Sequence, residues 1–110
     1  MEVGDILMGA RALIRKGWCQ HNNAEDQDGD GVEVSHKFAK KFCPHGALCR
    51  VAGSANPVTW YEGVLEAFSA FRHAIGDVDI ATWNDRKDRT KAQVLEAFDK
   101  AIQEAERTKQ

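Results

Sequence analysis

The chain predicts a mainly α-helical fold: a small single-domain bundle of four to five helices, with a long polar loop and room for a short hairpin at about 20–34. Three observations carry that prediction. Apolar residues recur at three- and four-residue spacing in four separate stretches of the 110 residues, the periodicity of amphipathic helices. Proline or a capping side chain stands at the start of three of those stretches, and glycine closes three of them. The segment between the first two is rich in Asn, Asp and Gly, which punctuate turns.

Taken in order, Val3, Ile6, Leu7, Ala10, Leu13 and Ile14 form the first stripe, with Arg11, Arg15 and Lys16 largely off it. Gly17 supplies a stop after a basic last turn, and Trp18 leads out of the helix toward the core. Asn22-Asn23 and Asp28-Gly29-Asp30-Gly31, followed by the Val32-Glu33-Val34 alternation, give the polar loop. Ser35 can cap a brief helix through Phe38, Ala39 and Phe42, ending at or before Cys43 because Pro44 disfavours helical geometry in the residue before it. Pro44 opens the next helix, which carries Ala47, Leu48 and Val51 and stops near Gly53. Asn56-Pro57 repeats the start signal for a helix whose wide apolar face runs from Val58 through Ile75 to Gly76. A polar loop, Asp77 to Arg89, precedes a last helix with the capping-box signature Thr90-Lys91-Ala92-Gln93 and the stripe Val94, Leu95, Phe98, Ala101, Ile102 and Ala105.

A chain of this length builds one core, so residues 1–110 are read as a single domain. Its 15 Lys and Arg against 17 Asp and Glu leave a formal charge of −2, which gives no global attraction to nucleic-acid phosphates. No apolar run approaches about 18 residues and no secretory leader pattern opens the chain, so no membrane partner and a cytoplasmic location are expected. Three cysteines, without a dense framework, suit a reducing compartment.

The most suggestive local feature is Cys43, placed where the Pro44 helix begins. A thiol under the unpaired amides and positive end of a helix tends toward thiolate, which makes Cys43 a candidate nucleophile. His45 is near enough in sequence to be considered as its base, Gln20 could donate a hydrogen bond, and Asn84 or Asp85 could orient a histidine. The competing reading is a small apolar filler, since free cysteine is among the most buried residue types; Cys49 reads more strongly so. Asp26-x-Asp28-x-Asp30-Gly31 matches the first half of a calcium loop, but Lys37 stands where the bidentate glutamate belongs. Cys19-x-His21 and Cys43-x-His45, with Cys49 or His36 as substitutes, contain zinc-type ligands at a spacing that zinc pairs do not use. Both sets are read as metal-free, and no cofactor is expected. Trp83-Asn84-Asp85 reads as a turn whose tryptophan locks the loop onto the core, and the basic 86–91 stretch as a solvated loop.

Three segments together, Ile14-Arg15-Lys16-Gly17-Trp18-Cys19-Gln20, Cys43-x-x-Gly46-Ala47-Leu48, and Trp83-Asn84-Asp85 with Thr90 and Val94, resemble a family of small uncharacterised bacterial and phage proteins, a domain of unknown function. The resemblance spans most of the chain and implies a shared fold and core rather than an activity. Gly17, Trp18, Gln20, Cys43, Gly46, Ala47, Trp83, Asn84 and Asp85 match its pattern. It also implies that the positions of His21 and His45 more often hold glycine or small apolar residues, so neither zinc nor a Cys43-His45 pair is a shared property.

The expected function is therefore protein contact, as a small accessory or regulatory protein of the kind phages also encode, with Trp18, Trp60, Tyr61 and Trp83 as candidate binding residues. The alternatives are a thiol-dependent enzyme using Cys43 with Gln20, Asn84 or Asp85, and weak divalent-metal binding in the acidic loop. The deciding question is whether the three motif segments meet in space.

Overall fold

The structure is a computed structural model; it describes the backbone of residues 2–53 and 60–108 and the side chains of residues 2–53 and 63–107. The element order is α1 (Val3–Lys16), β1 (Ala24–Glu25), β2 (Lys41–Phe42), α2 (Pro44–Gly53), α3 (Trp60–Ala74), α4 (Ile80–Asn84) and α5 (Lys91–Thr108). The mainly helical bundle predicted from apolar spacing is thus the fold. The helix start expected at Asn56-Pro57 lies outside the described residues.

α1 is the central element, packing against α2, α3 and α5. It buries Ile6, Leu7, Ala10 and Ile14 along one side, the stripe read from their spacing. Opposite it, Phe71 of α3 and Phe98 of α5 are fully buried with ring centroids 4.5 Å apart. Trp83 of α4 meets Phe71 edge-on at 5.9 Å. Burying each such phenylalanine contributes on the order of 2–3 kcal/mol before packing geometry is counted. Arg11 of α1 reaches Asp99 of α5 at 2.7 Å, and Lys91 Nζ donates to the Arg15 carbonyl at 2.6 Å, so polar contacts on the flank repeat the α1–α5 pairing of the core.

Three local expectations are corrected. The brief Ser35–Phe42 helix does not form: residues 34–38 make turns, and Lys41–Phe42 is a strand antiparallel to Ala24–Glu25, Ala24 opposite Phe42. The reason is competition for backbone groups. Lys40 N–H donates to the Glu25 carbonyl at 2.8 Å and Phe42 N–H to the Gly17 carbonyl at 3.0 Å, partners that two turns of isolated helix cannot match. Next, the hairpin signal in the polar loop is only partly realised. The loop closes back on itself through a Glu25–Gly31 bridge and a Val32 N–H to Ala24 carbonyl bond of 3.0 Å, yet β1 takes its strand partner from Lys41–Phe42. Finally, the 77–89 loop contains the helix α4. Asp79 caps it, its carboxylate accepting from Thr82 N–H and Thr82 Oγ1, both at 2.9 Å, and these bonds hold the carboxyl below its ordinary range. The Asp-x-x-Thr spacing is the signal that would have revealed it.

At the start of α5 the capping box forms as expected: Gln93 N–H donates to Thr90 Oγ1 at 3.2 Å, and Thr90 N–H to Gln93 Oε1 at 3.0 Å.

Candidate functional site

The three motif segments meet beyond the C-terminal end of α1. Gly17 carries the chain out of the helix against the 40–42 strand, where a Cβ on residue 17 would collide with the Lys40 carbonyl oxygen. Trp18 then pairs with Phe42 in a parallel bridge and points its indole N–H at Asn84, 2.8 Å from Oδ1. Asn84, the last residue of α4, is fully buried. Its Nδ2 donates to the Cys19 carbonyl at 3.1 Å. Gln20 answers from the other side, its Nε2 donating to the carbonyls of Asn84 and Arg86, both at 2.8 Å. Asp85 Oδ1 accepts the His21 backbone N–H at 2.8 Å. His21 holds that position at φ 71, the left-handed region where glycine is at home.

Asn84 and Asp85, expected as turn formers or as polar partners of Cys43 and Gln20, are the hub of a long-range hydrogen-bond seam between the 18–21 segment and the end of α4. A buried asparagine whose carbonyl and amide are both used orients a unique packing, because any other arrangement strands a polar group. Among the described residues, no buried side-chain nitrogen or oxygen lacks a partner. Trp83 is held from outside the seam: Arg89 lies 3.8 Å from its ring centroid and donates through Nε to its carbonyl at 2.9 Å. The 86–91 stretch expected to be solvated thus has its central arginine folded back onto the core.

Cys43 takes the cap position that Pro44 predicts, and its Sγ accepts the Gly46 N–H at 3.3 Å. The expected acidity does not follow. Cys43 is 4% exposed, and burial pushes its thiol up from its ordinary value despite the hydrogen bonds from the Gly46 and His45 amides. The desolvation cost of a buried thiolate outweighs the cap. The thiol also donates to Asn23 Oδ1 at 3.5 Å. Gly46 sits so close to this segment that a Cβ there would be driven into the Asn23 carbonyl oxygen. Cys19 is likewise buried, its thiol pushed up to about 12, mainly by burial and then by Glu25. His45 turns away from Cys43, lying 5.0 Å from the Phe68 ring with Nδ1 3.8 Å from the Cys49 sulfur.

The metal-type spacings also resolve into local structure. Asp26 Oδ1 accepts the backbone N–H groups of Asp28 and Asp30 at 2.9 and 3.0 Å, so this carboxylate closes its own turn. Among the described residues, no three His, Cys, Asp or Glu side chains are grouped so as to hold a metal ion. Likewise, no described helix is long and apolar enough to cross a membrane.

The opposite end of α1 carries the other kind of surface. A groove of about 700 Å³ runs between the start of α1, the outer side of α3 and the last turns of α5. Among the described residues, Val3, Gly63, Ala70, Ala105 and Met8 contribute small or apolar surface, and Glu2, Asp5, Glu66, Asp77, Glu104 and Glu106 bring six carboxylates. Among the described residues His73 is the one basic residue lining it, 3.6 Å from Asp77, and Arg107 lies 3.6 Å from Glu104. Sequence reading missed these residues because they come from three helices far apart in the chain, and each carboxylate alone reads as an ordinary solvated position. The side chains of Trp60 and Tyr61, the other candidate binding residues, lie outside the described residues.

A family model matches residues 1–104; its description is a family of unknown function, DUF6197. No curated protein matches the chain. No solved structure matches it.

Proposed function

Because the chain belongs to DUF6197, a family of unknown function, we propose its role from its own surface: it is a protein-interaction module that seats a Lys/Arg-rich segment of a partner protein in the acidic groove. The observation that supports this reading is the six-carboxylate lining over small and apolar residues, a surface that favours cationic side chains while giving their aliphatic stems something to lie on. Exposed charge pairs are worth about 0–1 kcal/mol each, so affinity comes from several acting together and falls as salt shortens the reach of the field to about 8 Å at physiological ionic strength. The protein is then a small accessory or regulatory factor whose helical bundle presents the groove.

The thiol-enzyme alternative loses its support at Cys43. A nucleophile needs access and thiolate character, and this sulfur is buried, raised in pKa and committed to a backbone amide and Asn23.

The test is a titration, followed by fluorescence anisotropy, of a labelled Lys/Arg-rich amphipathic peptide into the protein at low and physiological salt. Wild-type protein is expected to bind it, and the Glu66→Lys, Glu106→Lys double variant to weaken binding about ten-fold or more, since reversal turns attraction into repulsion. No binding at low salt, or equal binding by the double variant, would refute the proposal.

A further inference from the structure

The outer side of α1 carries a further pattern that the seam does not explain and that shares only Asp5 and Met8 with the groove. Asp5, Met8, Ala12 and Arg15 are all exposed and stand at intervals of three, four and three residues, so they form one straight stripe on the side opposite buried Ile6, Leu7, Ala10 and Ile14. Met8 is 47% exposed, unusual for a large apolar residue on a helix that is otherwise the centre of the bundle. Met8 lines the acidic groove with Asp5 on one side, and on the other a basic depression formed with Arg11, Ala12, Arg15 and Lys16. Charge is thus divided along the helix, acid before Met8 and base after it. Arg11 is neutralised by Asp99. Neither the Asp5 carboxylate nor the Arg15 guanidinium has an ion-pair or hydrogen-bond partner among the described residues.

From this pattern we infer that α1 pairs with α1 of a second copy, antiparallel, about a two-fold axis between Met8 and Ala12. The register is self-complementary. When residue i faces residue 20 − i, Asp5 meets Arg15 of the second copy, Met8 meets Ala12, and each contact is made twice, as an isologous interface requires. Ala12 is small enough to let the helices approach, and the flexible thioether of Met8 fills the space over it. A parallel pairing would set Asp5 on Asp5 and Arg15 on Arg15, so the charges select the antiparallel arrangement. The pairing shares Asp5 and Met8 with the groove but is argued from their spacing with Ala12 and Arg15 along α1 and not from what the groove binds. Glu66, Glu104 and Glu106 belong to α3 and α5, outside the stripe.

Sedimentation equilibrium over a concentration series reaching about 1 mM tests it, a range that captures dissociation constants from micromolar to millimolar. Wild-type protein is expected to show a monomer–dimer equilibrium. Asp5→Arg alone and Arg15→Asp alone should each weaken dimerisation about ten-fold or more by facing like charges across the axis, and the double variant Asp5→Arg, Arg15→Asp should restore it to within about three-fold of wild type. Both residues are exposed, so thermal melts of each variant verify that the fold is intact. A monomer at every concentration, or single variants that weaken dimerisation without rescue in the charge-swapped protein, would overturn the pairing. Peptide binding that persists in a monomeric protein would overturn it while leaving the groove reading standing.

Discussion

At the Gly17 end of α1 the polar groups are matched donor to acceptor, whereas at the Val3 end acidic groups outnumber the basic ones beside them. In the first region Trp18, Gln20, Asn84 and Asp85 close a network in which each reaches a partner more than sixty residues away. In the second, carboxylates from α1, α3, α5 and the residues flanking them line a groove; among the described residues His73 is the one basic side chain in that lining, and Arg107 pairs with Glu104 at 3.6 Å. Both regions are polar and both join distant segments. The difference lies in balance: in the seam donors and acceptors are matched within the fold, whereas the lining of the groove keeps an excess of acid over base even with Asp77 paired to His73 and Glu104 to Arg107.

That contrast predicts a steep gradient of mutational effects. The largest belongs to Gly46→Ala, whose new methyl has no room beside the Asn23 carbonyl. A loss of about 3 kcal/mol or more is expected in chemical denaturation, since the obstacle is backbone rather than a movable side chain. Asn84→Ala should follow at about 3 kcal/mol, because it leaves the Trp18 indole N–H and the Cys19 carbonyl without partners in a buried place; a loss under about 1 kcal/mol would mean that the seam does not hold the segments together. Cys43→Ala removes a cap and should cost about 1 kcal/mol. Cys43 itself should alkylate more slowly in the folded protein than half-buried Cys49, the two becoming equal only in denaturant.

The thiols also set a pH dependence. Burial holds Cys19 and Cys43 protonated in the folded state, while an unfolded thiol ionises near 9.0. The unfolded chain therefore binds fewer protons above that pH, and stability should fall as pH rises from about 9 toward about 12, the folded value of Cys19. Asp79 acts in the opposite sense. Its folded pKa is depressed, so its contribution is present above the ordinary carboxyl range and disappears as pH falls through the folded value; Asp79→Ala should flatten that acid limb. The smallest effects belong to the groove, where Glu66→Lys and Glu106→Lys should each change stability by less than about 0.5 kcal/mol while weakening peptide binding.

How much of this the sequence disclosed follows from the range of the forces involved. The stripe of α1, the Pro44 start of α2 and the Thr90-Gln93 box of α5 are local devices and could be read directly. The 35–42 segment was misread because its fate is decided by strand partners at Gly17 and Glu25, which no local window contains. Cys43 was placed correctly and its chemistry was not: the cap is a property of three residues, whereas its burial is a property of the whole fold. Asn84 looked like a turn residue because nothing near it announces that Trp18, Cys19 and Gln20 will converge on it. Of the positions quoted for the resemblance, Trp18, Gln20, Asn84 and Asp85 meet in the seam, whereas Cys43 and Gly46 lie against Asn23.

The most direct test of the contrast is an amide chemical-shift titration of the labelled protein with a Lys/Arg-rich amphipathic peptide. The account predicts shifts concentrated at Gly4, Gly63, Ala70 and Ala105 around the groove, with the amides of Gln20, Cys43 and Asn84 unmoved. Shifts centred on Gln20, Cys43 and Asn84 would contradict it, and so would a spectrum that does not change at low salt.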